Sequence, residues 1–216
     1  MRRLLRKLVR LLRKNKLFRK TQYSHFVFGL GNPGEEYEDT LHNAGFHVLD
    51  AIAEREGVFF KRIKGNALTA DFAMGEKRIL LAKPLTYMNA SGHAVDHYRR
   101  KMGLTEENFI VVYDDMDIEP GRIKIKKGGG HGGHRGLMSV ILETGMRDFV
   151  RVRVGIGKPP RGVTATDYVL SPPPPEISEK IKRGIFHAAD AIMMLLADGL
   201  EKTMSYYNSS LPYEAE

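Results

Sequence analysis

FVFGLGNPGEEYEDTLHNAG, residues 26–45, lays out a strand, a turn and the start of a helix in twenty residues. Phe26-Val27-Phe28 is a short apolar run of the kind that forms a buried strand. Gly29-Leu30-Gly31-Asn32-Pro33-Gly34 then turns the chain sharply. Pro33 fixes φ, and Gly31 and Gly34 accept backbone angles that other residues resist. A mostly polar connector, Glu35 to Leu41, leads to His42 and Asn43, just ahead of an apolar helix. Asn32 is therefore expected at a strand end and His42 at a helix start, both presented from loops on a rigid frame, where chemistry is commonly carried.

Outward from this stretch, strands and helices alternate. Residues 43–56 place Phe46, Leu49, Ile52 and Ala53 on one helical face and stop at Gly57. Residues 67–74 and 77–83 read as two strands around a Met74-Gly75-Glu76 turn. Pro84 and the loop Leu85 to Asn89 follow, then a helix from Ser91 to Lys101. Phe109 to Tyr113 is an apolar strand running into Asp114-Asp115-Met116-Asp117. Arg122 to Lys127 alternates Ile with bases, a strand with one basic face, and GGGHGGHRG, residues 128–136, reads as a flexible loop. A helix over Leu137–Glu143 and a strand over Phe149–Ile156 come next. Pro172 to Pro175 is a stiff break before a long helix, Ile177–Leu196, with a polar, frayed end. This alternation predicts an α/β fold. Residues 23–207 are expected to form one domain, between a basic extension over 1–22 and a polar tail over 208–216.

The 216 residues are enough for one domain with a substantial core. Cysteine is absent, which excludes disulfides and thiolate metal sites. No apolar run reaches the roughly 18 residues of a transmembrane span. The net charge is +8, but residues 1–20 hold ten Lys and Arg and no acid, so the remainder carries −2. An anion bound by the body must therefore meet a local patch. The first 20 residues alternate apolar and basic pairs at helical spacing. That pattern suits RNA or ribosome contact, an anionic membrane surface or an organellar targeting peptide, or is an extension without a specific role.

Gly29-Leu30-Gly31-Asn32-Pro33-Gly34 matches the dinucleotide pattern G-x-G-x-x-G, and Glu54 follows at about the right distance for a ribose contact. That fingerprint needs a helix to begin inside the glycines, and Pro33-Gly34 with its polar connector delays the helix to about residue 43. His131 and His134 have a spacing that suggests a metal, but glycines surround them and no third ligand matches. The loop reads instead as a cover over a groove, with a string of amides that suits a phosphate backbone. His42, Asn32, Asn89 and Asp114 all fall at strand ends or in loops, the edge of an α/β sheet where sites gather. An imidazole with a carboxylate partner makes a general base at neutral pH, and amides position a water and an oxyanion. No Ser or Cys stands out as a nucleophile, so hydrolysis by water is the economical chemistry. Lys124 and Lys126, with Arg151 and Arg153, read singly as a solvated sheet face and together as a phosphate clamp.

These residues resemble the bacterial-type peptidyl-tRNA hydrolases over about residues 24–207. The resemblance rests on GLGNPGEEYEDTLHNAG, KPLTYMNASG, VVYDDMDIEPG, KGGGHGGHRGL and RVRVGIGKP, in that order. It implies one domain with a twisted mixed β-sheet flanked by helices, acting as a cytoplasmic monomer without metal or cofactor. The implied reaction cleaves the ester between a peptide's carboxyl end and the terminal ribose of tRNA, recycling tRNA from stalled translation. By the same resemblance His42 is the general base and Asp114 its orienting carboxylate. Asn32 and Asn89 hold the substrate's end and the oxyanion. Tyr37, Tyr87 and Met88 line the cleft, His134 lies at its rim, and Lys126 and Arg153 meet tRNA phosphate. Arg135 stands where the family commonly has Asn, which suggests an added phosphate contact, and Tyr113 replaces a frequent His. A non-catalytic RNA-binding relative, like the plant organelle splicing factors, is the rival, but such a module needs no set like His42, Asp114, Asn32 and Asn89.

Overall fold

The apolar run at Phe26–Phe28 lies in β1 (His25–Gly29), where Phe26, Val27 and Phe28 have no exposed surface. A strand covered on both faces reads as a continuous apolar run, and each large side chain so buried contributes about 1.5–3 kcal/mol. The structure, a computed structural model, describes residues 23–63 and 65–209. The expectations for residues 1–22 lie outside the described residues.

Six further strands follow β1: β2 (Lys61–Ile63), β3 (Ala67–Met74), β4 (Lys77–Pro84), β5 (Phe109–Asp115), β6 (Ile123–Lys127) and β7 (Val150–Gly155). They form a mixed seven-stranded sheet in the order β2-β3-β4-β1-β5-β7-β6. β1 pairs in parallel with β4 and β5, and β5 with β7, while β2–β3, β3–β4 and β6–β7 are antiparallel. Helices cover both faces. α1 (Ala44–Arg55), α5 (Pro175–Asp198) and α6 (Leu200–Tyr207) pack with Val27, Leu81 and Val112 on one face. α2 (Ser91–Met102) and α3 (Arg135–Thr144) pack with Phe26, Phe28 and Phe109 on the other. The α/β class and the mixed sheet flanked by helices are as expected.

Two glycines of the opening stretch bring α1 against the sheet. A Cβ on Gly45 would lie 2.5 Å from the backbone of Leu30 and Val112, and one on Gly29 would lie 2.2 Å from the Gly45 carbonyl. Backbone thus packs on backbone where α1 crosses β1 and β5, and this close approach sets His42 beside the end of β5.

Three expectations are corrected. Of the end expected to be frayed after residue 196, Leu200–Tyr207 is instead α6, with Thr203 and Tyr207 buried, and Asn208 beyond it exchanges two hydrogen bonds with the Ile125 backbone of β6; residues 210–216 lie outside the described residues. An edge strand with unpaired groups gains from such a cap. The glycine-rich loop is shorter than read, because His134 caps α3 and Arg135 opens it. The solvated-face reading fails for Arg151. Lys126 stands opposite Arg151 and Lys124 opposite Arg153, so all four share one face, yet Arg151 is wholly buried because the glycine-rich loop lies over it. A short α4 (Ala165–Val169) had no place in the sequence expectations, although Thr164 followed by Asp167 is a helix-start signal.

Candidate active site

The parallel strands β1 and β5 end side by side, and the polar residues gather beyond their carboxyl ends. Asp114 belongs to β5. His42 sits in a single 3-10 turn, Leu41–Asn43, that feeds α1. Asn32 follows β1, and Met88 opens the 3-10 turn Met88–Ala90 after β4. Together with the α3 start and α4 they enclose a cleft of about 570 Å³. Asn32, Tyr37, His42, Tyr87, Met88, Asn89, Asp114, His134 and Arg135 all line it. Lys126 and Arg153 do not. They stand on the adjoining β6–β7 face, joined to the cleft through Asp115, which lines it and pairs with Arg153 at 2.7 Å.

The hydrogen bonds specify proton positions. The Leu137 N–H donates to His134 Nδ1 at 3.2 Å, so the neutral ring carries its proton on Nε2, which donates to Asp114 Oδ1 at 3.0 Å. His42 Nδ1 lies 2.8 Å from the same oxygen and must also donate to it, because a carboxylate only accepts. In the neutral ring His42 Nε2 is thereby left with its lone pair. His134 is thus bonded to the central carboxylate and does not merely lie at the rim. Burial alone would lower the His42 pKa and raise that of Asp114, but their attraction outweighs it. The His42 pKa is raised, against a smaller lowering by Arg135, and Asp114 is held well below the usual carboxylate range by His42 and His134.

Asn32 is similarly fixed. Its Oδ1 accepts from the Met88 N–H at 2.8 Å, which leaves its amide N–H group as the donor. Its own backbone is clasped by Asn43, whose Oδ1 accepts from Asn32 N at 2.7 Å and whose Nδ2 donates to Asn32 O at 3.1 Å. Asn43 is a positioning residue that sequence reasoning left without a role. Its only signal was its place next to His42, opposite the strand-end turn. Asn89 is exposed at the cleft edge, and Tyr37 and Tyr87 stand edge to face across the wall, centroids 6.3 Å apart.

His42, Asp114 and His134 offer ligand atoms all within 4.8 Å of one another, a grouping to test for a metal. The donor set does not suit one. The same nitrogens that face Asp114 carry the protons that bind it, and the Leu137 N–H fixes the His134 tautomer. His131, the other loop histidine, is not part of this group. Its Nδ1 accepts from Gly133 N.

An imidazole–carboxylate pair and an anchored amide gathered at the strand ends of an α/β sheet are an arrangement of the hydrolase class. The comparisons with known proteins agree. The family model described as peptidyl-tRNA hydrolase matches residues 26–214. A peptidyl-tRNA hydrolase of Moorella thermoacetica is 43% identical over 183 residues, 84% of this chain and 96% of that protein. One from Geotalea uraniireducens is 44% identical over 85% of this chain and 95% of its own length. The crystal structure of the Acinetobacter baumannii peptidyl-tRNA hydrolase superposes with a TM-score of 0.81 at 31% identity, covering 88% of this chain and 97% of that one. The chain belongs to the peptidyl-tRNA hydrolase family.

Proposed function

We propose that the chain hydrolyses the ester between a peptide's carboxyl end and the terminal ribose of tRNA, with His42 activating the attacking water. The observation that carries the mechanism is the buried His42–Asp114–His134 arrangement, which in the neutral His42 ring puts the proton on Nδ1 and leaves Nε2 to act as the base. Water loses its proton to that nitrogen as its oxygen bonds to the ester carbon, and Asp114 stabilises the imidazolium that forms. The amides of Asn32 and Asn89 serve the oxyanion. The adduct then collapses, the bond to the ribose oxygen breaks, and that oxygen takes the proton back from His42. General-base help supplies roughly 10²–10⁴-fold, and the remainder falls to positioning and oxyanion contacts.

Tyr37, Tyr87 and Met88 form the wall for the aminoacyl end, and Arg135 adds a cation at the mouth. Lys126 and Arg153 receive tRNA phosphate. Burial lowers the Lys126 pKa, and Arg153 and Arg151 lower it further, so this cluster has positive charge that an anion would relieve. The proposed setting is the cytoplasm, with the chain acting as a monomer; among the described residues no helix is long and apolar enough to cross a membrane. Residues 1–20 are proposed as an auxiliary contact for RNA, the ribosome or an anionic membrane.

The test is release of N-acetyl-aminoacyl groups from tRNA by the purified chain, beside His42→Ala, with no metal or cofactor added. Rapid cleavage by the parent and a drop of about 10²–10⁴-fold in the variant, with tRNA affinity kept, is the expected result. Binding of tRNA without cleavage by the parent would favour the RNA-binding rival.

A further inference from the structure

Arg151 is a cation with no exposed surface and, among the described residues, no carboxylate in ion-pair contact. A charge buried in this way is retained only where dipoles replace its water. Here they come from main-chain carbonyls and the Tyr113 side chain, with the Asp148 charge nearby. The guanidinium donates to the carbonyls of Gly129, Gly130 and Arg147, the last at 3.1 Å, and lies 4.8 Å over the Phe149 ring. Gly129 and Gly130 begin the loop that forms one wall of the cleft through His131, Gly132 and Gly133.

The two ends of that loop are held by different means. At the far end His134 caps α3, and Gly136 packs so closely on Met88 that a Cβ there would come within 2.4 Å of the sulfur. That end is anchored by the helix. At the near end Gly128 and Gly129 have φ of +72° and +104°, angles that glycine adopts freely and that do not themselves hold a conformation. Apart from one backbone bond from Gly128 to Phe149, the near end is tied down by Arg151.

We propose that Arg151 is a positioning residue that latches the near end of the 128–134 loop and so shapes the cleft wall against the substrate. This rests on the hydrolase reading for its kinetic consequence, though not for its structural one. Arg151 touches neither His42 nor Asp114; its link toward them runs through Tyr113, whose ring stands 4.9 Å from that of His134, while both histidines keep their own bonds to Asp114. The loss falls on KM. Charge alone does not do this work, because a lysine ammonium lacks the planar fork that reaches two successive carbonyls.

The experiment compares the full chain with Arg151→Met, which keeps volume and removes charge and donors, and with Arg151→Lys. Amide hydrogen exchange is read at residues 128–136, and kcat and KM on N-acetyl-aminoacyl-tRNA. The expected result is faster exchange confined to 129–133 in both variants, and KM raised about ten-fold with kcat within about three-fold of the parent. The acid limb of the pH profile should stay in place. Unchanged exchange at 129–133 overturns the latch, whatever the activity. So does full recovery by Arg151→Lys, which would make Arg151 a source of charge only. Exchange that rises across the whole sheet also overturns it, in favour of a general structural role. A parent chain that fails to cleave would count against the hydrolase reading alone, since the exchange result stands without it.

Discussion

The cleft centre and the basic β6–β7 face are neighbours that handle charge in opposite ways. At the centre, one buried carboxylate accepts from two imidazoles, and the backbone holds the second of them in a single tautomer. On the β6–β7 face Lys126 and Arg153 stand together, Asp115 answers Arg153 directly, and the Arg151 charge beside them is already met by main-chain carbonyls. The first region is complete without substrate, as preorganised catalysis requires. In the proposed reading the second is completed by a phosphate of the substrate. On that reading substrate chemistry is separated from substrate capture within one sheet, the two meeting at the adjacent Asp114 and Asp115.

The sharpest break in this contrast is Asp114→Asn. It should lower kcat by about 10²–10⁴-fold while leaving tRNA affinity near the parent value. It also has a pH signature. In the proposed mechanism the active base is neutral His42, whose pKa Asp114 raises above the usual imidazole value; removing that carboxylate should move the acid limb of kcat/KM to lower pH. An unmoved limb would mean that another group sets the profile. Arg153→Ala should act the other way. It weakens tRNA binding, lowers the slope of log K against log salt by about one, and changes kcat little. Unchanged affinity and slope would remove Arg153 from the phosphate contacts. The smallest effect is expected from Arg135→Asn. Its charge opposes protonation of His42 from an exposed position, so its loss should shift the acid limb slightly upward in pH, alongside a modest rise in KM. A downward shift would contradict that electrostatic role.

Local pattern made much of this legible. The run at Phe26–Phe28, the glycine turn after it and the helical spacing after His42 are periodic signals, and periodicity reports which backbone form buries a given set of side chains. The same stretch placed Asn32 and His42 at element ends. The basic alternation of β6 and β7 was equally visible, and it correctly put Lys124, Lys126, Arg151 and Arg153 on one face. What covers that face was not visible, because alternation records two sides of a strand and says nothing of the loop laid over one of them. Asn43 escaped for a related reason: its clasp on Asn32 spans two elements that meet only when Gly29 and Gly45 let backbone touch backbone.

Residue order alone therefore determined the α/β class, the strand ends and the side chains offered there, since these follow from contacts within a few residues. Long-range packing was needed for Asp114 to meet His42 across 72 residues, for His134 to share the same oxygen, and for Arg151 to be buried beneath the glycines. Those pairings depend on β1 lying between β4 and β5 and on β7 lying beside β5, an order set by packing both faces of the sheet at once.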